Sequence, residues 1–216
     1  MAKKMVKENT RIFKRISEVI ERLSTKEISE ERKKTLQPLI EFIQSKVDQK
    51  QTVSLNFICT HNSRRSHLSQ VWAQTMARYF DVPNVFCFSG GTEATALFPV
   101  VAETLEEVGF EIEKGSESKN PQYSIKFGEN ELPIVGFSKV YDDPFNPQSN
   151  FAAIMTCSQA DQDCPMILGA ERRIAVAYDD PKMFDGTPFQ KEKYEERSLE
   201  IASEMYYVFS RIEMRS

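Results

Sequence analysis

Cys59 and Arg65 lie six positions apart, where a strand-like run at 52–58, TVSLNFI, gives way to a helix-like one. Six residues can curl so that successive backbone N–H groups point inward, and the positive end of the helix dipole adds to their field. An oxyanion held there would meet the Cys59 sulfur on one side and a bidentate Arg65 guanidinium on another. The same field favours the thiolate, the nucleophilic form of cysteine. We therefore predict a covalent adduct between Cys59 and a tetrahedral oxyanion.

The residues around this pair complete the predicted anion loop. Ser66 is placed to hydrogen-bond the Cys59 thiolate, and Asn62 is placed to brace the loop. The competing interpretation is a buried cysteine beside a surface arginine, but the strand-to-helix turn followed by a serine favours the anion loop. The predicted substrate-binding residues are Thr60, His61, Asn62, Ser63, Arg64, Arg65 and Ser66.

The other three cysteines differ in context. Cys87 stands between two phenylalanines in VFCFS, and we expect it to be a small buried apolar residue. Cys157 and Cys164 form only a loose pair, and the two histidines are His61 and His67, so the sequence does not favour a metal site. We expect neither a metal nor another cofactor.

Composition narrows the class of protein. Hydrophobic residues make up 40% of the chain and charged residues 28%, with both signs interspersed, which is typical of a soluble globular protein. The chain has no long apolar run, and its Lys-rich start lacks the apolar stretch of a secretory signal, so we expect a cytoplasmic protein without a membrane partner. The net charge of −4 disfavours nucleic acid as a partner.

Strand-like and helix-like runs alternate after residue 51. The runs at 52–58, 85–89, 151–156 and 173–178 predict strands, most of them buried on both faces. Apolar residues at helical spacing predict helices at 65–79, 99–108 and 188–213. This alternation indicates an α/β fold with a parallel sheet covered by helices.

Two stretches fall outside the alternation. Residues 1–50 carry apolar residues at helical spacing with a break near Ser24 to Ser29, which predicts a two-helix N-terminal extension to a catalytic domain at 51–216. The sequence does not decide whether these helices pack over the sheet, dimerise or bind a partner. Residues 115–150 are rich in Gly and Pro, and we interpret them as an irregular insertion that contains a hairpin.

The anion loop resembles the signature of low-molecular-weight protein tyrosine phosphatases and of the thioredoxin-coupled arsenate reductases built on the same fold. SGGTE at 89–93 is similar to the end of that family's second strand, and the resemblance extends over residues 52–214. It implies a four-stranded parallel sheet with flanking helices. The residues that carry it are Cys59, Asn62, Ser63, Arg65 and Ser66.

The resemblance also implies a general acid from an Asp-Pro pair near the C-terminal end. AYDDPKMF supplies Asp180 for this role. A second pair, in YDDPF, offers Asp143, but it precedes the third predicted strand, from which we do not expect it to reach the site.

Cys157 and Cys164, followed by Pro165, resemble the movable redox segment of the arsenate reductases. The resemblance implies that Cys59 forms an adduct with arsenate, that Cys157 displaces arsenite by forming a disulfide with Cys59, and that Cys164 then takes over the disulfide for reduction by thioredoxin. The implied substrate is a small oxyanion, arsenate or a phosphate ester.

Three departures from the family pattern leave alternatives open. His61 replaces a usual glycine, Arg64 stands where reductases often have another cysteine, and Gln70 replaces a glutamate that helps some of them to bind potassium, so we expect no strong potassium dependence. The main alternative function is a tyrosine phosphatase in which Cys157 protects an oxidised Cys59. A third is a binding module that senses phosphate without turnover.

Overall fold

A computed structural model describes residues 11–163 and 166–214 of the chain, without the side chain of Asp163. The elements follow in the order α1 (Lys14–Leu23), α2 (Glu30–Asp48), β1 (Val53–Cys59), α3 (Arg65–Tyr79), β2 (Val85–Gly91), α4 (Pro99–Val108), β3 (Glu111–Lys114), β4 (Tyr123–Lys126), β5 (Ile134–Gly136), β6 (Phe151–Met155), α5 (Ser158–Asp163), β7 (Ala170–Ala175), a 3-10 helix (Pro181–Phe184) and α6 (Gln190–Ser210).

A four-stranded parallel sheet in the order β2-β1-β6-β7 forms the centre of the fold, which confirms the predicted fold class. The two central strands are buried along almost their whole length, because helices cover both faces of the sheet. Parallel strands end at one edge of the sheet, so Cys59 at the end of β1 lies beside the residues that follow β6.

The two N-terminal helices pack onto the rest of the molecule and share its main core. Ile16 and Ile20 of α1, and Leu36 and Ile43 of α2, are fully buried in the same cluster as Trp72 of α3. Both helices contact α6, and α2 also contacts β7. The predicted break between them is confirmed: the Ser29 side chain caps α2 by accepting a hydrogen bond from the backbone of Arg32.

The structure corrects the bounds of one predicted strand. The last strand occupies Ala170–Ala175 rather than 173–178, and the apolar residues Val176 and Tyr178 lie beyond it, buried in the connection that leads to the acid residue Asp180. The region interpreted as an insertion with a hairpin does contain one: β4 and β5 pair antiparallel, and β4 also pairs with β3 to give a three-stranded antiparallel sheet. Among the described residues, no helix is both long and apolar enough to cross a membrane.

Candidate active site

The anion loop connects the end of β1 to the start of α3. No side chain caps α3, and its first turn carries no acidic residue, so the positive end of the helix faces the loop without a counter-charge of its own. Among the described residues, we find no hydrogen bond donated by the backbone N–H groups of residues 61–65. Free N–H groups at a helix start are the donors that a bound oxyanion requires.

The thiol of Cys59 is almost completely buried and lies 3.1 Å from the Ser66 hydroxyl oxygen. The Asn62 side-chain amide donates a hydrogen bond of 2.9 Å to the same oxygen. A hydroxyl that accepts from Asn62 keeps its own proton for the sulfur, so Ser66 is oriented to stabilise a Cys59 thiolate. The structure therefore gives Ser66 and Asn62 the surroundings that their predicted roles need.

Asn62 holds a left-handed backbone conformation with φ of 44°, which asparagine tolerates better than most residues. Its side-chain oxygen accepts from the Lys139 backbone at 2.9 Å, and its carbonyl accepts from Nε2 of His67 at 2.9 Å. Nδ1 of His67 accepts from the Ser89 hydroxyl at 3.2 Å. His67 therefore acts as a neutral buried brace for the loop. Burial lowers its pKa to about 3, and the positive charge of Lys139 acts in the same direction.

We expect His67 to make the protein sensitive to acid. The unfolded chain binds a proton on this residue near pH 6.5, whereas the folded protein does so only near pH 3. The stability due to neutral His67 is therefore present above pH 6.5 and is lost as the pH falls. Between pH 7 and pH 4.5, this residue should lower the free energy of unfolding by about 2–3 kcal/mol. Urea unfolding at both pH values should show that the wild type loses more stability than His67→Gln; equal losses would contradict this role.

The end of β2 packs directly against the anion loop. The backbone N–H of Thr92 donates to the Cys59 carbonyl at 3.1 Å, and that of Glu93 donates to the Thr60 carbonyl at 2.8 Å. Gly91 approaches so closely that a Cβ there would lie 2.7 Å from the Asn62 nitrogen. The segment SGGTE therefore packs against the anion loop, and Gly91 allows the two backbones to approach closely because it has no side chain.

The side chains of Arg65 and Asp180 contact each other beside the anion loop. One terminal nitrogen of the Arg65 guanidinium donates to an oxygen of Asp180 at 2.5 Å, and the other donates to the Tyr178 carbonyl at 2.9 Å. The second oxygen of Asp180 caps the 3-10 helix through the backbone of Lys182. Asp143, the competing candidate, accepts from the backbone of Phe145 within its own turn. An anion on Arg65 would therefore lie beside the carboxyl group of Asp180.

Arg64 points away from the loop. Its guanidinium donates to Asp185 at 2.6 Å and to the Tyr194 hydroxyl at 2.5 Å, and it lies 4.1 Å from the centre of the Phe98 ring. Arg64 therefore ties the start of α3 to α6, and its side chain is engaged away from the Cys59 sulfur. The His61 side chain is 44% exposed, with Nε2 3.7 Å from the Glu93 carboxylate.

Cys157 follows β6 and is buried in the same apolar cluster as Cys59. Its sulfur lies 3.5 Å from the hydroxyl of Thr60 and accepts a hydrogen bond from the backbone of Ala160. Cys164, the predicted third cysteine, lies outside the described residues. Cys87 is buried, and burial raises its thiol pKa well above the usual value, which agrees with a packing role.

The sequence interpretation missed Lys139, which is only 2% exposed. Its ammonium donates to the Phe137 carbonyl at 3.2 Å and lies 4.3 Å from the centre of that ring. Burial lowers its pKa to about 8. The signal that could have indicated its burial was a lysine within the mostly apolar run IVGFSKVY. No group of acidic, His or Cys side chains in the described part of the chain is arranged to hold a metal ion.

No protein-family model matches the chain. Among curated proteins, an arsenate reductase of Staphylococcus aureus (strain Newman) is 27% identical over 154 residues, which cover 71% of this chain and 95% of that protein. Arsenate reductase 2 of Staphylococcus epidermidis (strain RP62A) is 27% identical over 142 residues, which cover 66% of this chain and 88% of that protein.

Two solved structures have a fold similar to that of this chain. A mutant of YwlE from Bacillus subtilis superposes with a TM-score of 0.50 at 15% identity, covering 74% of this chain and 98% of that one. A low-molecular-weight protein tyrosine phosphatase from T. tengcongensis gives 0.50 at 13% identity, covering 74% of this chain and all of that one, 100%. The solved structures show that the chain has the fold of the low-molecular-weight phosphatases, and the curated proteins show that its sequence is similar to arsenate reductases, as the resemblance implied.

Proposed function

We propose that this chain, which has the fold of the low-molecular-weight phosphatases and resembles arsenate reductases in sequence, reduces arsenate to arsenite through a cysteine relay. The observation that carries the proposal is the position of Cys157. Its buried thiol follows the strand next to that of Cys59, with the sulfur 3.5 Å from the Thr60 hydroxyl. A hydrolase needs no second thiol at this point, whereas a reductase needs one to take the oxidation away from Cys59.

The first step joins arsenic to the Cys59 sulfur. The thiolate attacks arsenic, an As–O bond to a hydroxyl group breaks, and a proton from Asp180 leaves with that hydroxyl as water. The position of Asp180 suits this role, because an oxyanion that binds the Arg65 guanidinium would displace its 2.5 Å contact with Asp180 and lie beside the carboxyl group. The N–H groups of the loop stabilise the remaining negative charge.

The second step transfers two electrons to arsenic. The Cys157 thiolate attacks the Cys59 sulfur, an S–S bond forms, and the electron pair of the broken S–As bond remains on arsenic, which leaves as arsenite. Cys164 then attacks Cys157 and frees Cys59 as a thiolate. Bonded cysteines need Cα atoms within about 7 Å, so this step requires residues 158–165 to unwind in part. A dithiol of the thioredoxin class would reduce the resulting disulfide.

Hydrolysis of a phosphate ester is the second candidate function. The contact between Asp180 and Arg65 favours it, because a carboxylic acid beside the bound anion can also protonate a departing phenolate. Both functions use Cys59, Arg65 and Asp180 in the same roles. They differ only in whether the adduct is cleaved by water or by Cys157.

The test is arsenate-dependent oxidation of NADPH in the presence of thioredoxin and thioredoxin reductase. We expect steady turnover by the wild type and loss of that turnover in Cys164→Ser, because the disulfide can no longer move to a position where thioredoxin attacks it. A wild type that does not turn over arsenate but hydrolyses an aryl phosphate would replace the reductase with the phosphatase. A protein with neither activity that still binds phosphate would favour the sensing module.

A further inference from the structure

Tyr178 connects the N-terminal helices to the acid residue. Its backbone carbonyl accepts from Arg65, two positions before the Asp180 carboxylate that pairs with the same guanidinium. Its ring is buried and lies under a different arginine, Arg32 of α2, whose guanidinium carbon is 4.8 Å from the ring centre. One side of Tyr178 therefore contacts the site and the other contacts the N-terminal extension.

Arg32 is itself fixed in place by two contacts. Its Nε and one terminal nitrogen donate to the two carboxylate oxygens of Glu204 in α6, at 2.6 and 2.8 Å. The Glu204 side chain is only 3% exposed, so the fork is largely shielded from water. The backbone of Arg32 donates to Ser29, the residue that caps α2. A capped helix end and a bidentate ion pair thus hold the guanidinium plane over the Tyr178 ring.

A largely buried ion pair adds little net stability, because the desolvation of the two charges offsets their attraction. The bidentate fork nevertheless holds the Arg32 and Glu204 side chains in one arrangement. The geometry fixed here is that of the connection between β7 and the 3-10 helix, residues 176–180, which we call the acid loop. We infer that Arg32 is a positioning residue for Asp180: α2 sets the place of Tyr178, and Tyr178 sets the place of the carboxyl group beside Arg65. This inference rests on the proposed use of Asp180 as the general acid. It gives the N-terminal helices a part in the chemistry.

Two aryl phosphates that differ only in the leaving group test this role. A dinitrophenolate leaves without a proton, whereas phenolate needs one from Asp180. We expect Arg32→Met to lower kcat/KM for phenyl phosphate by about 10- to 100-fold, since displaced catalytic groups lose activity of this order. The dinitrophenyl ester should change by less than about 3-fold, because binding and nucleophilic attack are retained. Asp180→Asn should also lower kcat/KM for phenyl phosphate much more than for the dinitrophenyl ester, and by a larger factor than Arg32→Met.

Two further variants exclude simpler explanations. Lys34→Met removes a positive charge from an exposed position of the same helix and should leave both substrates unaffected. Arg32→Met leaves the Glu204 carboxylate buried without its partner, so the double variant Arg32→Met with Glu204→Met provides a neutral, apolar alternative that should fold and should still discriminate between the leaving groups. Equal losses with the two esters in both variants would show a merely structural role and overturn the inference.

Hydrogen exchange separates this inference from the proposed function. Arg32→Met should speed amide exchange in peptides covering residues 176–184, and Lys34→Met should not. If the wild type neither reduces arsenate nor hydrolyses either ester, the proposed function fails, and faster exchange would still support the brace between α2 and Tyr178. If the wild type is active and exchange in these peptides is unchanged, the inference fails while the function stands.

Discussion

Cys59→Ala is expected to lose both arsenate reduction and aryl phosphate hydrolysis to background, a fall of about 10⁴-fold or more. Both reactions begin with a bond to this sulfur, and no neighbouring group replaces it: Ser66 directs its hydroxyl toward Cys59, and Cys157 lies beyond Thr60. Turnover should be measured in the two assays at equal concentrations of folded protein.

Cys87→Ala is the matched control for this variant. Cys87 is also buried, in β2, but packs within the main core, so its loss should leave both activities within about 3-fold of the wild type. Residual turnover in Cys59→Ala near the wild-type rate would eliminate the covalent mechanism in both of its forms. Unchanged function of Cys59→Ser in cells would support a sensing role for the anion loop.

Cys157→Ser is expected to separate the two activities. Repeated arsenate reduction should fall to background, because the Cys59 adduct has no thiolate to attack it, whereas aryl phosphate hydrolysis should stay within about 3-fold of the wild type. Serine retains an acceptor for the Ala160 N–H, so the start of α5 should keep its hydrogen bond. NADPH oxidation and phenol release should be followed on the same preparation.

The outcome of Cys157→Ser bears directly on the choice of function. Loss of both activities would indicate that Cys157 supports the anion loop, for example through Thr60, and would remove the main argument for a relay. Retention of arsenate turnover would mean that another thiol resolves the adduct. Cys87→Ala again serves as the control, because it removes one buried thiol without touching residues 156–160.

The elements around the nucleophile were predictable because their signals are local. The strand ending at Cys59 and the helix over Arg65–Tyr79 are marked by periodicity and by the turn between them. Ser66 lies beside Cys59 and Asp180 beside Arg65, which are the positions that the resemblance implies, whereas their roles stay predictions.

The features that sequence did not predict depend on contacts between distant segments. Lys139 is buried because its segment continues beside the end of β2, where Gly91 donates to its carbonyl, and no local pattern encodes that pairing. Arg64 turns toward Asp185 and Tyr194, which lie more than 100 positions away. The prediction for β7 is three residues too late because the apolar run continues to Tyr178, whose ring is buried beyond the end of the strand, under Arg32 of α2.

The packing of α1 and α2 on α6 has a consequence for how the protein is made in the cell. The ribosome produces these two helices before the sheet, and α6 after it, yet the three share one core. The apolar faces that carry Ile16, Ile20 and Leu39 therefore lack their final partner until α6 has left the exit tunnel. Contacts so far apart in sequence close late and slowly. Nascent chains should depend on chaperones that shield these faces, and translation pauses before α6 should increase aggregation.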